Sequence, residues 1–559
     1  MAKITGGKFI AEFLNAQGVT AFFFVPTMLS RALAEMDDMP IKRVLTHGEK
    51  AAAYMADGYA RASGRPGICA AQAVGAANLA AGLRDAYMGH SPVIALTGGR
   101  WGHQKHKINY QEMDDFPIFT QVTKANFQVD TVDRLPDLMR QAFREATSGT
   151  PAPVNLLFAG KEGDIEHDVA DLKMIAEETF THVPAYRPTP EAASVAEAAR
   201  ILKNAKHPVI VVGGGARWSG AGPEVLKLAE ALSIPVATSL NGFSLIPDNH
   251  PLYIGVPGTY SRSCTNKILM RADLVLYIGS QTAGQVTHFW KIPAAGTPVI
   301  QIGIDPADLG RNYPNAVSLL GDAKTALQAL NQAVAGDSGK GVRNEKWVEE
   351  TKAAVKEWRA EVQPLRASDA VPMRPERILK EVGDWLPQDT IVVCDTGHAG
   401  MWSAQQFWVT KPWDFIRAAG SLGWAFPASL GAKVAMPKKP VVCFTGDGGF
   451  WYHLQELETA VRCGIPTVTV VNNNNALNQE TLIFKQAYGG KPSNKQSEMW
   501  HFSQVNFAAI AESMGALGIR VTKPAELRSA LDRAISSGRP AVVEVMSDIE
   551  ALAPNPWEG

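Results

Sequence analysis

The segment GDGGFWYHLQELETAVRCGIPTVTVVNNNN, which runs from Gly446 to Asn475, decides the fold of this chain. It begins with an aspartate between glycines, continues as a helical pattern and an apolar strand pattern, and ends in four asparagines. Asparagine is a poor strand former, and burying its amide without a hydrogen-bond partner costs free energy. The pattern therefore indicates that the asparagines serve a site at the end of this strand.

The order of these residues predicts a site for a metal and a diphosphate. Asp447 follows the apolar run VVCFT, and the glycines around it let a ligand approach the backbone where the next helix begins. A neighbouring parallel strand would bring Asn473 and Asn474 to the same edge of the sheet. Carboxylate, amide, main-chain and diphosphate oxygens together suit Mg²⁺.

Apolar runs alternate with helical patterns along the chain, which predicts an α/β protein with three doubly wound parallel-sheet domains. We expect strands in PVIALTGG, PVIVVGGG, LVLYIGS, PVIQIGID, TIVVCDTG, PVVCFTGDGG and PTVTVVNNN. Polar stretches near 184–194 and 337–377, both containing proline or glycine, are typical of linkers. They predict domains at residues 1–183, 190–336 and 370–550.

The composition is that of an ordinary globular protein, with 46% hydrophobic and 19% charged residues among 559. The net charge is −1, so there is no electrostatic reason to expect nucleic acid or an anionic membrane as a partner. The first residues are typical of an amphipathic helix and not of a signal peptide, and no apolar run reaches the roughly 20 residues that cross a bilayer. We expect a cytoplasmic protein whose five cysteines are reduced.

The segment 446–475 resembles the cofactor fingerprint of thiamin diphosphate-dependent enzymes, in which G-D-G is followed further along the chain by N-N. The pattern is similar to that of acetolactate synthase, pyruvate oxidase and 2-oxo acid decarboxylases, and most like acetolactate synthase large subunits. The resemblance implies that Asp447, Asn474 and the main-chain oxygen of Ala476 bind Mg²⁺. Four consecutive asparagines leave one residue of ambiguity, and we choose Asn473 and Asn474 because FWYHLQEL then aligns without a gap.

The resemblance also implies that the N-terminal domain binds the pyrimidine ring and the C-terminal domain the diphosphate. VLTHGEKAAAYMADGYARASGRPGIC has Glu49 where the family has the glutamate that hydrogen-bonds the aminopyrimidine. A solvated glutamate at a helix start is the alternative, because the helix dipole favours it there. QAVGAANLAAGLRDAYMGH, which contains Asn78, has AVG in place of the family's G-P-G, and NYQEMDDFPIF has Gln111 at an active-site glutamine and Tyr110 at a phenylalanine.

In the C-terminal domain, DTGHAGMWSAQQF and AAGSLGWAFPASLGA resemble segments that contact the cofactor in the family. Leu422 aligns with the bulky residue that bends the cofactor, and otherwise it is an ordinary core leucine. The resemblance implies the following cofactor-binding residues: Glu49, Asn78, His398, Gly420, Leu422, Gly446, Asp447, Gly448, Gly449 and Asn474.

The central domain resembles that of pyruvate oxidase and acetolactate synthase in PVIVVGGGARWSGA and VIQIGIDPADLGRNYPNAVSLLGDAKTAL. Those relatives bind FAD in this domain, whereas other members keep the domain without a flavin. The glycines at 213–215 follow a strand but do not form a full dinucleotide fingerprint. FAD therefore stays open beside thiamin diphosphate and Mg²⁺.

Departures from acetolactate synthase fall where a substrate would bind. Pro26 and Thr27 stand in place of a glycine-rich turn, and His47 stands in the segment where acetolactate synthase has Arg-His. His103 and His106 lie shortly before the active-site glutamine and would line the same cleft. Exposed loop histidines are the alternative for both.

The residues after the asparagines, LNQETLIF, are polar where acetolactate synthase is apolar. Glu480, which follows Gln479, stands where pyruvate decarboxylase has a catalytic glutamate. An apolar pocket would raise its pKa and make it a proton donor near neutrality. The catalytic candidates are thus Glu49, Gln111 and Glu480.

Four functions stay open at this point. The first is a carboligase or lyase of the acetolactate synthase type acting on a 2-oxo acid. The others are a decarboxylase or lyase that ends in protonation by Glu480, an FAD-linked oxidase, and a non-catalytic relative, against which the intact Glu49, Asp447 and Asn474 argue. The family arrangement, with each active site between two chains, implies a homodimer or homotetramer.

Overall fold

The structure is a computed structural model that describes residues 3–336, 344–491 and 494–554. Within these residues the chain forms three parallel β-sheets of six strands each, and helices cover their faces. This confirms the prediction of an α/β protein with three doubly wound domains. The boundaries at 1–183, 190–336 and 370–550 stay a prediction, and residues 337–343 of the second expected linker lie outside the described residues.

The N-terminal domain contains the strands β1 (Ile4–Thr5), β2 (Ala21–Phe24), β3 (Lys42–Leu45), β4 (Gly67–Ala71), β5 (Val93–Gly98), β6 (Ala125–Val129), β7 (Val154–Phe158) and β8 (Val169–Ala170). Its helices are α1 (Gly6–Ala16), α2 (Ser30–Glu35), α3 (Glu49–Ser63), α4 (Ala76–Met88), α5 (Phe116–Phe119) and α6 (Leu135–Thr147). The parallel sheet has the order β3-β2-β4-β5-β7-β6, and β1 and β8 pair as a short antiparallel ribbon.

The central domain contains the strands β9 (Pro208–Val212), β10 (Val236–Thr238), β11 (Tyr253–Gly255), β12 (Leu274–Ile278), β13 (Val299–Gly303) and β14 (Asn315–Leu320). Its helices are α7 (Ala192–Asn204), α8 (Gly214–Ser219), α9 (Gly222–Leu232), α10 (Ser263–Met270) and α11 (Ala323–Gly336). The strand order β11-β10-β9-β12-β13-β14 is that of the doubly wound dinucleotide-binding fold. The long helix α12 (Glu345–Arg366) follows this domain.

The C-terminal domain contains the strands β15 (Thr390–Cys394), β16 (Trp413–Arg417), β17 (Val441–Gly446), β18 (Val468–Asn473), β19 (Leu517–Val521) and β20 (Ala541–Met546). Its helices are α13 (Pro375–Trp385), α14 (His398–Gln406), α15 (Ala425–Ala435), α16 (Asp447–Trp451), α17 (Glu456–Arg462), α18 (Thr481–Ala487), α19 (Phe507–Ser513) and α20 (Pro524–Ser536). The order β16-β15-β17-β18-β20-β19 repeats the order of the N-terminal sheet. The strands expected in the seven apolar runs all form.

Helices α3 and α15 join the N-terminal and C-terminal domains by direct backbone contact. A Cβ atom on Gly58 of α3 would lie 2.0 Å from the main-chain oxygen of Ala428, and one on Gly431 of α15 would lie 1.8 Å from that of Met55. The side chains around this crossing belong to one buried apolar cluster that includes both domains. The two glycines therefore set how closely the domains approach.

The remaining physical expectations concern cysteines and membranes. All five cysteines are free thiols, and four of them are buried, as expected of small apolar residues. Among the described residues no helix combines the length and apolarity that crossing a membrane requires. A cytoplasmic location stays a prediction.

We expect Gly58→Ala to destabilise the chain by on the order of 3 kcal/mol, because the added methyl group meets backbone that has no side-chain freedom to move aside. Thermal unfolding of the purified protein measures this. Gly102→Ala is the matched control, because a Cβ there meets nothing within 4 Å. Equal midpoints for the two variants would contradict the close crossing of α3 and α15.

Candidate active site

Four neighbouring strands of the C-terminal sheet, β16, β15, β17 and β18, end at one edge. The loops that follow them carry the segments 418–423, 395–398, 446–449 and 474–480, respectively. Open α/β sheets bind ligands at the carboxyl edge of their strands. The structure thus collects at one edge the C-terminal residues that the sequence analysis selected.

Asp447 begins α16 and is almost fully buried, at 2% exposure. Burial raises the pKa of its carboxyl to about 7, although the nearby backbone amides of Asn474, Gly448 and Ala476 lower this pKa. Its Oδ2 has no hydrogen-bond partner. A buried carboxylate oxygen without a partner is costly, so this atom has the property expected of a cation ligand.

The four asparagines divide into distinct environments. Asn473 is fully buried, and its Nδ2 donates to Glu544 Oε1 over 2.7 Å. Asn474 is half-buried beside Asp447, and its Oδ1 accepts from the amide of Ala476 over 3.2 Å. Asn475 has a φ of +57°, a left-handed conformation that asparagine tolerates well. The segment is therefore an organised turn that brings 474–476 to the aspartate.

The donor set around Asp447 fits a small oxygen-preferring cation. Among the described residues, no group of three or more His, Cys, Asp or Glu side chains converges as a metal site. A cation at Asp447 would therefore need amide, main-chain and cofactor oxygens as further ligands. This matches the way proteins usually hold Mg²⁺, through one or two protein ligands and a bound phosphate group.

The glycines after β17 make room for neighbouring groups. A Cβ on Gly448 would lie 2.5 Å from Leu477 Cδ2, and one on Gly449 would lie 2.6 Å from Asp395 Oδ2. A Cβ on Gly446 would meet nothing closer than the main-chain oxygen of Asn472 at 4.0 Å, so this position leaves open space. The glycines thus fix the backbone near the carboxylates and leave one approach free.

Asp395 is a buried residue of this edge that the sequence analysis missed. Its carboxylate accepts from the amide of Thr396 over 2.8 Å, from the hydroxyl of Thr445 over 3.1 Å and from the amide of Gly423 over 3.2 Å. Burial raises the pKa of Asp395 to about 7. The sequence signal was a strand that ends in Asp-Thr-Gly, the same kind of acidic strand end as Thr-Gly-Asp at 445–447.

Residues after β15 and β18 meet at the mouth of this edge. Burial lowers the pKa of His398 to about 4, so its imidazole is neutral at pH 7. Gln479 lies against Gly397, where a Cβ would be 2.6 Å from its Oε1. Glu480 is half-buried, and its carboxylate has no hydrogen bond or ion pair to another residue that the structure describes. These side chains are available to a ligand.

The N-terminal candidates form a separate group. Glu49 is the first residue of α3, and the amide of Asn78 donates to its Oε2 over 3.3 Å. A Cβ on Gly75 would lie 2.4 Å from Oε1 of Glu49, so the glycine of the altered AVG sequence gives this carboxylate its space. The structure thus brings Glu49 and Asn78 together.

The loop from 99 to 115 carries several further candidates. His103, His106 and Tyr110 are exposed, Tyr110 at 74%. Gln111 has a φ of +59°, and its Oε1 is buried without a partner. The buried side-chain oxygen without a partner distinguishes Gln111 from His103 and His106, which are exposed.

The other proposed pocket residues lie beside this group. Pro26 and Thr27 are exposed after β2. His47 contacts the C-terminal domain, since its Nε2 is 2.8 Å from Glu458 Oε2 and its amide donates to Glu456 Oε1 over 3.0 Å. His47 therefore joins the two domains of one chain, and its role as a substrate residue stays a prediction.

Among the described residues, no hydrogen bond or ion pair joins Glu49 or Gln111 to the C-terminal edge. Large apolar side chains are exposed beside both groups: Ile108 and Met113 near the first, and Leu482, Ile483 and Met499 near the second. Exposed apolar groups of this kind are typical of surfaces that another chain covers.

A cavity of about 220 Å³ lies between the central domain and the other two. Its walls include glycines after β9, β12 and β13 and the side chains of Trp218, Asp305 and Arg417. The guanidinium Nε of Arg417 is buried there without a hydrogen-bond partner. The cavity lies at the carboxyl edge of the strands, where the doubly wound order places nucleotides.

Comparison with known proteins gives three family models that match the chain. The thiamine pyrophosphate enzyme N-terminal TPP binding domain matches residues 4–118, the central domain of those enzymes matches residues 195–330, and their C-terminal TPP binding domain matches residues 395–545. The chain belongs to the thiamine pyrophosphate enzyme family. The resemblance inferred from the sequence is thereby confirmed.

The similar curated proteins carry a more particular name. The chain is 34% identical to the probable acetolactate synthase large subunit of Methanocaldococcus jannaschii, over 98% of this chain and 93% of that protein. It is 30% identical to the acetolactate synthase isozyme 2 large subunit of Escherichia coli, over 98% and 96%, and 30% identical to the acetolactate synthase of Mycobacterium avium, over 98% and 88%. The likeness extends over all three domains.

The raised pKa of Asp395 predicts a pH-dependent stability. Its folded-state pKa of about 7 lies above the ordinary value of about 3.9, so its contribution to stability is lost as the pH rises from about 4 to 7. Asp395→Asn removes this dependence. We therefore expect the stability of the variant relative to the parent protein to improve between pH 5 and pH 8, as measured by denaturant unfolding without cofactor. A constant difference would contradict the burial-raised pKa.

Proposed function

We propose that this protein is a thiamin diphosphate- and Mg²⁺-dependent carboligase of the acetolactate synthase type. It would decarboxylate a 2-oxo acid and join the remaining carbon unit to a second carbonyl compound. The observation that carries the proposal is the buried carboxyl of Asp447 at the sheet edge, which lies near the amides of Asn474 and Ala476 and keeps its Oδ2 without a partner. The names of the similar proteins support the carboligase over the other members of the class.

Bound thiamin diphosphate would supply a nucleophilic carbon to add to the substrate carbonyl and a thiazolium ring to act as the electron sink for decarboxylation. Asp447, Asn474 and the main-chain oxygen of Ala476 would hold Mg²⁺, which in turn holds the diphosphate. Gly446, Gly448 and Gly449 would let the diphosphate approach the backbone, and His398, Gly420 and Leu422 would contact the rest of the cofactor.

Glu49 is proposed as the acid–base residue. Its carboxylate would hold a proton at Oε1, the oxygen that faces Gly75, while Asn78 orients Oε2 by its hydrogen bond. A positioned carboxylate contributes about 10²- to 10⁴-fold in such proton transfers. Gln111, with its buried Oε1, is proposed to orient the substrate or the cofactor ring.

The side chains that line the substrate pocket are proposed to be Pro26, Thr27, His47, His103, His106, Tyr110 and Gln479.

A second function keeps the same cofactor: a decarboxylase or lyase in which Glu480 delivers a proton and no carbon–carbon bond forms. The half-buried and unpaired carboxylate of Glu480 favours it. An FAD-linked oxidase is a further alternative, favoured by the nucleotide-type strand order and the cavity of the central domain. A flavin absorption spectrum of the purified protein would distinguish it.

We propose that the active protein is a homodimer or homotetramer. Among the described residues no hydrogen bond or ion pair joins Glu49 or Gln111 to the Asp447 edge, and exposed apolar side chains flank both groups. A second copy would bring its Glu49 group to the Asp447 edge. Full activity of a species that sediments as a single 60.2 kDa chain would contradict this.

The proposal is tested by product analysis. The holoenzyme is incubated with pyruvate and then with a panel of other 2-oxo acids, and carbon dioxide and products are followed by mass spectrometry. A carbon–carbon-coupled product, a 2-hydroxy ketone or acid, supports the carboligase. Aldehyde without coupled product supports the decarboxylase, and no turnover of any 2-oxo acid contradicts both.

Glu49→Gln should lower turnover by about 10²-fold or more, because the amide cannot exchange a proton, while thiamin diphosphate binding stays nearly unchanged. Turnover and calorimetry measure the two effects. Glu345→Gln is the matched control, since Glu345 is likewise the first residue of a helix, α12. Equal activities of the two variants would mean that Glu49 is only a favourable helix-start charge.

Asp447→Asn should weaken Mg²⁺-dependent binding of thiamin diphosphate by about tenfold or more, because a neutral amide replaces the charged ligand. Calorimetry with and without Mg²⁺ measures the change. Asn475→Gly is the control, because glycine accepts the positive φ of this position and Asn475 is outside the proposed ligand set. If only the control variant loses the dependence of cofactor binding on Mg²⁺, the asparagine pair of the fingerprint is Asn474 and Asn475 instead of Asn473 and Asn474.

A further inference from the structure

The loop after β16 is anchored by two buried carboxylates from different domains. Asp85, on α4 of the N-terminal domain, accepts from the amide of Ala419 over 2.9 Å, from that of Gly420 over 3.1 Å and from that of Ser421 over 2.9 Å. Asp395 of the C-terminal domain accepts from the amide of Gly423 over 3.2 Å. Four of the five amides at 419–423 are therefore bound to a carboxylate.

The remaining residue of this loop is Leu422. It is half-buried, and Gly420 beside it is exposed, so this part of the loop faces the open sheet edge. The residues on both sides of Leu422 are fixed by hydrogen bonds from their amides to buried carboxyl groups. The position of Leu422 thus depends on Asp85 as well as on its own domain.

Asp85 is itself held rigidly. Its side chain is fully buried, and its Oδ1 lies 3.1 Å from the guanidinium of Arg61. Arg61 also binds Asp57 through two 2.7 Å hydrogen bonds and donates to the main-chain oxygen of Arg417 over 2.7 Å. The main-chain oxygen of Arg417 is on the last residue of β16, directly before the loop. The N-terminal domain therefore forms hydrogen bonds to both the end of β16 and the loop at 419–423.

We infer that Asp85 is a positioning residue, which sets the placement of Leu422 against the cofactor from the other domain. This inference rests on the proposed function, in which Gly420 and Leu422 contact thiamin diphosphate. A change in how the N-terminal domain packs on the C-terminal domain would be transmitted to the cofactor through these three hydrogen bonds. The diphosphate and metal ligands around Asp447 belong to other loops and would stay in place.

The test is Asp85→Asn in the holoenzyme. An amide group cannot accept at both of its ends, so at least one backbone amide of 419–421 or Arg61 loses its acceptor. We expect kcat to fall by about tenfold to a hundredfold, the effect of a small misplacement of a reacting group. The KM for thiamin diphosphate should change little, and the near-ultraviolet circular dichroism of the bound cofactor should change.

Asp57→Asn is the matched control, because Asp57 is equally buried and binds the same Arg61 but does not contact the loop amides. It should lower the unfolding temperature without the change in kcat or in the cofactor spectrum. If Asp85→Asn lowers only the unfolding temperature, as the control does, Asp85 merely stabilises the fold and the inference is wrong.

Hydrogen exchange of the unaltered protein keeps the inference testable if Asp85→Asn does not fold. The amides of 419–421 should exchange far more slowly than those of the exposed loop at 105–108. Fast exchange at 419–421 would overturn the inference without any variant. Calorimetry with thiamin diphosphate distinguishes the two failures: cofactor binding together with fast exchange at 419–421 refutes only the inference, whereas absence of binding refutes the proposed function and the inference that rests on it.

Discussion

The close backbone contact between α3 and α15 is the constraint on which the rest of the site depends. Glycines at 58 and 431 let each helix touch the main chain of the other. Only at this separation can short side chains bridge the domains, as Asp57 does by accepting from Trp424 Nε1 over 2.8 Å. The same approach brings Asp85 to the loop after β16. The contact between the domains therefore also determines the placement of the loop at 419–423.

The N-terminal and C-terminal sheets share one strand order, and the central sheet has another. The shared order places equivalent loops at the carboxyl edge of each outer sheet: Glu49 follows the edge strand β3, the counterpart of β16, whereas Asp447 follows β17, the counterpart of β4. Helices α3 and α15 pack the outer domains against each other, yet no hydrogen bond or ion pair of the described residues joins Glu49 to the C-terminal edge. The exposed apolar side chains beside both groups are typical of surfaces that another chain covers.

The sequence predicted those features whose signal is local. Strands appear as continuous apolar runs, and Asp447 and Asn474 lie near each other because adjacent parallel strands end at one edge. Asp85 and Arg61 could not be found in this way, because their partners are more than three hundred residues away and lie in another domain. The sequence explains the four asparagines only in part. The burial of Asn473 against Glu544 depends on the pairing of β18 with β20, which lie far apart in the chain.

The buried carboxylates near the site differ in how their charge is compensated. Asp57 and Asp85 share the guanidinium of Arg61, and Asp395 has a hydroxyl and two backbone amides. Asp447 is faced by amides, yet it keeps an oxygen without a partner. Since an unpaired carboxylate oxygen is costly where water is excluded, this is the one of the four that gains most from a cation. The distribution of partners thus argues for the metal at Asp447 independently of the fingerprint in which it lies.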